Sequence, residues 1–431
     1  MKYFRWIFLL TLLAAAISPA NAQTGIIVSD TLGANGLKGT CFLLNCQVSA
    51  SLGDPSRQVF LVESKLPLNP TFLLTALLNQ VGVVNAELDQ PLRLIEQTAG
   101  PVPESLLDET PLPYYGATVW DGYANQPAAQ IVGVPQAQQA FNVTGAGVVA
   151  VIDTGADTEH PALMPVLVPG YNFVDNTPSG DETGSLNQSS VALLDGTGPV
   201  YLNGTTVAML NQSSVALLDG FGNADFGHGT MTAGIVHLVA PTAHIMPLVA
   251  FSSDGTGYLS NVIRATYYAA QNGANVISMS FSFSSPSAEM TKAIHYANRL
   301  GIVCVASAGN NGNSTVVYPA GISGVMGVAS TSDLGTRSSF SNYGSDVWVA
   351  APGEAIISTY PYGTYAAEWG TSFSAPFVSG TAALLLQVSP SVNQQAAATA
   401  IAHAVPIDGS GMGNGELNAF QAVQSWVDAQ P

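Results

Sequence analysis

Residues 148–155 read Val-Val-Ala-Val-Ile-Asp-Thr-Gly, an apolar run that ends in a carboxylate. The unbroken apolar run from Val148 to Ile152 predicts a strand buried on both faces, because a half-exposed strand would alternate with polar residues. The carboxylate of Asp153 is costly to bury unless another group pairs with it. The stretch therefore predicts a buried strand whose carboxyl end carries a polar site.

Apolar runs of strand length alternate with amphipathic runs of helix length through the rest of the chain. We predict further buried strands at 245–249, 276–281, 302–306 and 325–329, and helices at 259–271 and 287–299. This alternation is typical of an α/β fold with a mostly parallel sheet covered on both faces. Functional sites in such sheets lie beyond the carboxyl ends of the strands.

The composition limits the class of protein. Of the 431 residues, 47% are hydrophobic and 9% are charged, which excludes a disordered chain, and glycine and proline are too scattered for a fibrous one. The formal net charge is -18, from 28 acidic and 10 basic side chains. We expect no nucleic-acid partner, because a protein that binds the phosphate backbone needs clustered lysines and arginines. The length is sufficient for one large domain and a smaller one.

Most of the acidity lies in the second part of the chain. Residues 118–431 contain 19 of the 28 acidic side chains and 4 of the 10 basic ones. With so few cations, this part has few ion pairs to lose when carboxylates protonate. We predict that its fold tolerates mildly acidic surroundings.

The first 22 residues have the pattern of a secretory signal peptide. Lys2 and Arg5 precede an apolar run at 6–17, and the small-x-small sequence Ala20-Asn21-Ala22 follows. An uncleaved anchor is the alternative, but the run is shorter than the roughly 20 apolar residues that span a bilayer. We predict cleavage after Ala22 and a secreted protein, extracellular or periplasmic, without a stable membrane anchor.

Residues 23–117 predict a small α+β domain followed by a linker. An extended run at 59–63 and a helical run at 70–80 indicate the mixed character of the domain. Prolines and acidic residues are frequent between Gln97 and Pro113, with Pro91 just before, a composition that predicts an exposed, cleavable linker. We place the domain boundary between residues 117 and 118.

An exact duplication interrupts the α/β pattern. Residues 186–196 recur letter for letter at 210–220, and Asp-Gly and Asn-Gly pairs between them are hairpin-turn signals. We predict an inserted β-meander at about 181–222. A decorated surface loop and a flap that contacts the substrate are equally good interpretations of this insertion.

Three cysteines are too few for a disulfide-built scaffold, and no Cys-x-x-Cys pair indicates zinc. Cys41 and Cys46 are close enough in sequence to form a disulfide after export. Cys304 lies in an apolar run, without a neighbouring histidine or cation that would lower its pKa, so we predict a buried structural thiol.

Three further motifs contain groups that suit acyl transfer. They are Asp225-Phe-Gly-His228-Gly-Thr230, Ser307-Ala-Gly-Asn310-Asn-Gly312 and Gly370-Thr-Ser372-Phe-Ser-Ala-Pro376. A serine hydroxyl becomes a good nucleophile when an imidazole takes its proton, and a buried carboxylate orients that imidazole. Asp153, His228 and Ser372 provide these three groups, in a chain order that differs from the Ser, Asp, His order of α/β-hydrolases.

An oxyanion site is also predicted. Ser372 precedes an apolar helical run, so backbone N–H groups at a helix start would face a developing negative charge. The side-chain amide of Asn310, which follows the small Ala308-Gly309 pair, is our candidate for a second donor.

Together, the D-T-G, H-G-T, S-A-G-N and G-T-S-x-x-A-P motifs resemble those of the subtilisin-type serine proteases, the subtilase family, over residues 143–420. The resemblance implies a subtilisin-like three-layer α/β fold and a serine endopeptidase that works through an acyl-enzyme and needs no cofactor for its chemistry. By it, Asp153 orients His228, His228 is the general acid and base, Ser372 is the nucleophile and Asn310 is the oxyanion donor.

Residues 23 to about 110 resemble the inhibitory propeptide of that family, most clearly at 77–84. This implies a small ferredoxin-like domain that assists folding and inhibits the enzyme until self-processing removes it. The expected partners are therefore protein or peptide substrates and the chain's own propeptide, with the enzyme itself a monomer.

The resemblance also implies a substrate cleft. The substrate main chain is expected to add as a strand along 255–258 and 280–282, and the segments 280–282 and 306–309 are expected to flank the pocket for the residue before the scissile bond. These residues are Gly255, Thr256, Gly257, Tyr258, Ser280, Phe281, Ser282, Ala306, Ser307, Ala308 and Gly309. Val317 is expected near the pocket floor. Because these residues are small or apolar, we expect an apolar or uncharged substrate side chain there.

Structural calcium is doubtful. Ala162 stands where relatives often have an aspartate that binds calcium, and a hard cation needs several oxygen ligands. Asp175, Asp181 and Glu182 are alternative ligands, but their irregular loop spacing is weak evidence.

Two other functions remain open at this point. A catalytically silent subtilase-fold binding protein could use the duplication as its working surface, although all four chemical positions are filled. An esterase or lipase is the other alternative, but the sequence around Ser372 lacks the second glycine of a G-x-S-x-G elbow.

Overall fold

A computed structural model describes residues 25–66, 69–94, 104–185, 225–407, 409 and 411–429, together with four two-residue strands between 186 and 224. The predicted signal peptide lies outside the described residues. By their internal contacts, residues divide into two compact units, of which the first contains 25–50 and 60–89 and the second contains 51–59 and the chain from Gln90 onward.

The first unit has the element order β-α-β-β-α-β. Its elements are β1 (Ile26–Asp30), α1 (Gly33–Leu44), β2 (Cys46–Ser51), β3 (Val59–Ser64), α2 (Pro70–Leu78) and β4 (Val83–Leu88). They form a four-stranded sheet in the order β2-β3-β1-β4, with β1 antiparallel to β4. This is the topology that the term ferredoxin-like describes, so the small α+β fold was predictable from the residues.

Local sequence explains the helices of the first unit and their packing. Pro70 occupies the first turn of α2, where a missing N–H costs nothing, and the Asn69 side chain accepts from the Thr71 N–H at 2.9 Å. Buried leucines on both helices pack on the sheet. Cys41 and Cys46 form a disulfide, as their spacing suggested.

The second unit contains the remaining strands and helices. Its strands are β5 (Pro91–Arg93), β6 (Pro111–Tyr114), β7 (Ala117–Trp120), β8 (Val148–Asp153), β9 (Tyr171–Asn172), β10 (Val191–Ala192), β11 (Val200–Tyr201), β12 (Ala208–Met209), β13 (Ala216–Leu217), β14 (His244–Val249), β15 (Thr256–Tyr258), β16 (Val276–Met279), β17 (Val303–Ser307), β18 (Met326–Thr331), β19 (Val347–Pro352), β20 (Ile356–Tyr360) and β21 (Thr364–Glu368). Its α-helices are α3 (Asp121–Ala124), α4 (Pro127–Ile131), α5 (Val134–Phe141), α6 (His228–Val239), α7 (Leu259–Gln271), α8 (Ala288–Arg299), α9 (Thr371–Val388), α10 (Gln394–Ile401) and α11 (Ala419–Asp428).

A seven-stranded sheet in the order β19-β18-β17-β16-β8-β14-β9 forms the centre of this unit. Each neighbouring pair in it is parallel. Strand β8 lies between β16 and β14 and is almost wholly buried, which confirms the prediction from its unbroken apolar run. The α/β fold is confirmed, and the carboxyl ends of β8, β16 and β17 meet at one edge of the sheet.

The linker prediction is partly wrong. Residues 104–107 form a 3-10 helix in which Leu106 is buried, and β6 pairs with β7 in an antiparallel hairpin that packs on the core of the second unit. Pro111 and Pro113 are accommodated because a two-stranded hairpin leaves each strand with an unpaired side. The prolines at 111 and 113 therefore indicate an edge strand, β6, and not an exposed linker. The boundary at 117/118 stays a prediction.

The insertion also differs from the predicted meander. Among its described strands, β10 pairs with β13 and β11 with β12, so the pairs are nested, whereas a meander pairs neighbours in sequence. Strand β12 also pairs with β21, outside the insertion. Turn signals locate possible hairpins, but they do not specify which strands pair when several short strands of similar sequence compete.

Candidate active site

Asp153 and His228 are in direct contact. Asp153 ends β8, His228 begins α6, and the Asp153 Oδ1 and His228 Nδ1 atoms lie 2.7 Å apart. Both side chains are buried. The Thr154 N–H donates to Asp153 Oδ1 at 2.7 Å, and the Thr232 hydroxyl donates to Oδ2 at 3.2 Å. The carboxylate thus has the partners that its burial requires.

Two glycines allow α6 to begin in a crowded position between the segment after β8 and Tyr360. Gly227, in the left-handed region with φ of 93°, precedes His228, and a Cβ there would lie 2.2 Å from the Tyr360 ring. A Cβ on Gly229 would lie 2.0 Å from the carbonyl oxygen of Gly155. Gly229 is therefore required by close backbone approach, and Gly227 by its left-handed conformation and the neighbouring Tyr360 ring.

The surroundings of His228 favour its protonated form. Burial alone would lower the pKa of the imidazolium, but the charge and hydrogen bond of Asp153 outweigh burial and raise it above the usual value. The nearby carboxylates of Asp225 and Glu182 act in the same direction. An imidazole that readily accepts a proton is what a general base requires.

Ser372 is at the start of α9, as predicted. Its hydroxyl donates to the Ser280 carbonyl at 3.1 Å, and the Ser280 hydroxyl donates back to the Ser372 carbonyl at 2.8 Å. The neighbouring Phe373 ring lies 5.3 Å from the His228 ring, between centroids. The residue next to Ser372 thus packs against the imidazole, while the Ser372 hydroxyl itself points to the carboxyl end of β16. Rotation about the Cα–Cβ bond is needed to direct it to His228.

Asn310 lies beside the start of the same helix. Its Oδ1 accepts from the Thr371 N–H at 2.9 Å and from the Thr371 hydroxyl at 2.7 Å. A Cβ on Gly370 would be 3.3 Å from Asn310 Nδ2, so the amide nitrogen is on the side of the nucleophile loop. Sequence reasoning chose Asn310 over the exposed Asn311 but missed Thr371, although it stands inside the G-T-S motif.

The predicted substrate strand already holds an extended peptide. Strand β15 pairs antiparallel with β5, so that Gly257 is opposite Leu92, and the Leu94 N–H donates to the Gly255 carbonyl at 3.0 Å. Gly257 has no room for a side chain, because a Cβ would lie 2.7 Å from the Ala250 carbonyl oxygen. This edge therefore presents main-chain groups to a bound strand.

The two predicted pocket walls are neighbours. Strands β16 and β17 pair in parallel with Met279 opposite Ala306, and the Ser307 hydroxyl donates to the Phe281 carbonyl at 3.3 Å. A Cβ on Gly309 would lie 3.3 Å from a methyl group of Val317. The segments 280–282 and 306–309 are thus brought together, with Val317 next to Gly309.

Glu182 belongs to the site, although the sequence indicated at most a weak metal ligand. Its carboxylate is buried and accepts from the Thr154 hydroxyl at 2.8 Å, from the Gly227 N–H at 3.2 Å, and from both the N–H and the hydroxyl of Thr230. Burial raises the pKa of Glu182 to about 7, against the lowering effect of these hydrogen bonds. No spacing rule could have found it, because it lies in an irregular loop.

The residues do not fit a calcium site at the family position. Ala162 is fully buried in the apolar core and has no oxygen side chain. Asp181 Oδ1 accepts from the N–H and hydroxyl of Thr183, and Asp175 accepts from the Asn172 amide. In the part of the chain that the structure describes, no three or more His, Cys, Asp or Glu side chains group as metal ligands would. Nor is any described helix long and apolar enough to cross a membrane.

The parallel sheet and the acid, imidazole and serine at its edge define the class as a subtilisin-like serine protease. Comparison with known sequences agrees, since the profile of the subtilase family matches residues 145–422. The chain belongs to the subtilase family, and it is a serine endopeptidase. It is 37% identical to thermitase of Thermoactinomyces vulgaris over 302 residues, 67% of this chain and 93% of that one. It is 34% identical to subtilisin BL of Lederbergia lenta, over 59% of this chain and 83% of that one.

Solved structures show the same fold. A cold-adapted subtilisin-like serine proteinase matches 64% of this chain and 90% of its own, with 28% identity and a TM-score of 0.52. Fervidolysin from Fervidobacterium pennivorans matches 94% of this chain and 61% of its own, with a TM-score of 0.70 and 23% identity. At that identity, the second likeness shows the fold alone.

Proposed function

We propose that this subtilase is a secreted, self-processing endopeptidase in which Asp153, His228, Ser372 and Asn310 perform the chemistry. The observation that carries the assignment is the buried 2.7 Å contact between Asp153 and His228, against which the Phe373 ring packs directly after Ser372 at the start of α9. A buried acid-imidazole pair beside a helix-start serine has the parts that acyl transfer needs.

The reaction follows from these positions. Because Nδ1 of His228 is engaged by Asp153, Nε2 takes the proton as Ser372 Oγ attacks the substrate carbonyl. The negative charge that develops on the carbonyl oxygen is stabilised by Asn310 Nδ2 and by N–H groups at the start of α9. The C–N bond breaks as His228 returns the proton to the leaving amine. Water then attacks the acyl-enzyme with the same base, and releases the acid and the free serine.

Self-processing is supported by the pairing of β5 with β15. Residues 91–94 run along the edge where the substrate main chain is expected, so the chain's own peptide would be held as a substrate is. We propose that the first cleavage occurs shortly after Leu94, within 95–103 and therefore upstream of the boundary predicted at 117/118. The 3-10 helix and the β6–β7 hairpin would then stay with the mature enzyme. The region up to this point would then act as the inhibitory propeptide.

Secretion is supported by the signal-like residues 1–22 and by the disulfide of Cys41 with Cys46. Disulfides form and persist mainly in oxidising compartments outside the cytosol. The extracellular space or the periplasm is therefore the proposed location, with no stable membrane anchor and a monomeric mature enzyme.

One pair of variants tests the proposal. Ser372→Ala removes the nucleophile, and Ser374→Ala removes a buried hydroxyl two residues further along the same helix, which donates to the Pro352 carbonyl at 3.2 Å. We expect the wild type and Ser374→Ala to shorten themselves and to react with a serine-directed phosphonate, and Ser372→Ala to do neither. A wild-type chain that neither labels nor processes across a range of pH and calcium would instead support a catalytically silent binding protein.

A further inference from the structure

Glu182 connects the two elements that carry Asp153, the proposed orienting carboxylate, and His228, the proposed general base. It is 1% exposed, and its carboxylate accepts hydrogen bonds from Thr154 after β8 and from Gly227 and Thr230 at the start of α6. Its own N–H donates to the Ala156 carbonyl at 3.2 Å. One carboxylate thus bridges the segment after β8 and the start of α6.

On the helix side, Glu182 replaces a missing cap. The first N–H groups of a helix have no partner within it, and the N-cap residue Gly227 has no side chain to offer. Glu182 Oε2 accepts from the Gly227 N–H, and Oε1 accepts from the Thr230 N–H at 3.1 Å. A negative charge also suits the positive end of the helix dipole. The start of α6, and therefore His228, is fixed by a residue from a different loop.

On the strand side, Thr154 links Glu182 to Asp153 and to the start of α6. Its hydroxyl donates to Glu182 Oε2 at 2.8 Å and accepts from the Gly229 N–H at 2.9 Å, while its own N–H donates to Asp153 Oδ1. Packing leaves little slack, since a Cβ on Gly155 would lie 3.0 Å from the Glu182 Cβ. A movement of the Glu182 carboxylate would therefore shift the segments that hold both Asp153 and His228.

We propose that Glu182 is a positioning residue that sets the distance and angle between the Asp153 carboxylate and the His228 imidazole. The inference rests on the proposed function, because it assumes the roles given to those two residues. By this proposal, the irregular loop at 179–185 contributes to catalysis through Glu182. A displacement of about 1 Å in such a constellation can cost about 100-fold in rate.

The charges around Glu182 allow its positioning role to be tested through the pH dependence of kcat/KM. The titratable groups that face it are Asp153 on β8, Asp157 after β8, Asp225 and His228 at the start of α6, Tyr362 after β20 and the adjacent Asp181. Its negative charge is one of the influences that raise the pKa of His228. Because the pKa of Glu182 is itself about 7, this charge is partly present in the pH range of the acid limb of kcat/KM, which reports the free base. Removing the charge should therefore move that limb modestly to lower pH.

The test uses Glu182→Gln in the full chain, with Glu289→Gln as the matched control. Glu289 is equally buried and pairs with Lys292 at 2.8 Å on α8, outside the site. Enzyme concentration is set by phosphonate labelling, and kcat, KM and the pH profile are measured on a peptide substrate. For Glu182→Gln we expect kcat to fall about 10- to 100-fold, KM to stay within about twofold, and the acid limb to move to lower pH. The control should change none of these.

A second pair of variants covers the case in which Glu182→Gln does not fold. Thr154→Val removes the hydroxyl that links Glu182 to the strand, and Thr154→Ser keeps it. We expect kcat to fall at least about tenfold in the valine variant and to recover in the serine variant.

The inference is overturned if Glu182→Gln keeps the wild-type kcat and acid limb, or loses thermal stability alone. If Glu182→Gln does not fold, a fully active Thr154→Val variant overturns it as well. In each of these outcomes a wild type that labels and hydrolyses leaves the proposed function intact, whereas a wild type that fails to label would end both.

Discussion

Thr371 holds the amide oxygen of Asn310 with two hydrogen bonds, one from its N–H at 2.9 Å and one from its hydroxyl at 2.7 Å. The Gly309 N–H in turn donates to the Thr371 hydroxyl at 3.2 Å. Because the oxygen is engaged on this side, the amide nitrogen lies near Gly370. The residue directly before the proposed nucleophile thus fixes the orientation of the proposed oxyanion donor.

Thr371→Val should therefore weaken the stabilisation of the transition state and leave substrate binding unchanged. The variant keeps the shape and the backbone N–H but loses the hydroxyl, so Asn310 is held by one bond instead of two. We expect kcat to fall about tenfold at unchanged KM, in line with the loss of one buried hydrogen bond. Steady-state kinetics with Thr371→Ser as the control would measure this. An equal loss in the serine variant would contradict the explanation.

Asn310→Ala should have a larger effect, because it removes the donor itself. We expect kcat to fall about 100- to 1,000-fold with little change in KM. Asn311→Ala is the matched control, since Asn311 is the adjacent amide and is exposed. If the two variants were equally active, the oxyanion role of Asn310 would be wrong.

Asp153→Asn should leave the fold intact and nearly abolish turnover. An amide can donate to Nδ1 of His228 and so hold the ring in the tautomer that cannot take the serine proton at Nε2. We expect kcat to fall about 10,000-fold. The carboxylate's partners, the Thr154 N–H and the Thr232 hydroxyl, can still find an oxygen, so thermal unfolding serves as the control for structure.

Leu92→Asp should slow self-processing. Leu92 is 6% exposed within the β5–β15 pair, and burying an unpaired carboxylate there is unfavourable. The neighbouring Arg93 is exposed on the opposite face of the strand, so Arg93→Asp introduces the same side chain without burying it. We expect processing to slow at least about tenfold for Leu92→Asp alone, followed by electrophoresis and amino-terminal sequencing. Cleavage outside 95–103 would disprove the proposed processing region.

Near pH 5, buried carboxyl groups and a buried histidine change the stability of the fold in opposite directions. Burial raises the pKa of Glu182, Asp333, Asp346 and Glu416, so these carboxyls favour the folded state more as the pH falls towards their unfolded values. His237 acts in the other direction. Burial lowers its pKa to about 4, with a smaller contribution from His160, so folded-state stability is lost as the pH falls from 6.5 through 4.

His237→Phe should therefore extend the acid tolerance of the fold. Both ring nitrogens of His237 lack a hydrogen-bond partner among the described residues, and its ring contacts the Tyr114 ring edge-on with 5.6 Å between centroids. Phenylalanine can keep that packing without a proton to bind. We expect a gain of about 3 kcal/mol below pH 4 and little change at pH 8. Denaturant unfolding at both pH values would measure it, and an equal change at both would show a packing effect only.

The sequence alone determined the fold class and the motifs of the site. Helix α7 begins and ends at the residues that amphipathic periodicity predicted, and β8 is the buried strand that the apolar run at 148–152 indicated. Such features are encoded within windows of a few residues, where periodicity, glycine and capping residues act locally. The order of Asp153, His228 and Ser372, together with the motifs around them, was sufficient to recognise the class of chemistry.

Only the tertiary structure decided which distant groups touch. Glu182 reaches Thr230 across 48 residues of sequence, Thr371 reaches Asn310 across 61, and β5 is placed on β15 by pairing far along the chain. The insertion pairs in a nested order, and the proline-rich segment forms a hairpin on the core. These contacts depend on side-chain shape and on which backbone edges are brought together when the sheet and its helices pack. No local pattern records that information, because the energy of each contact exists only after the chain has folded.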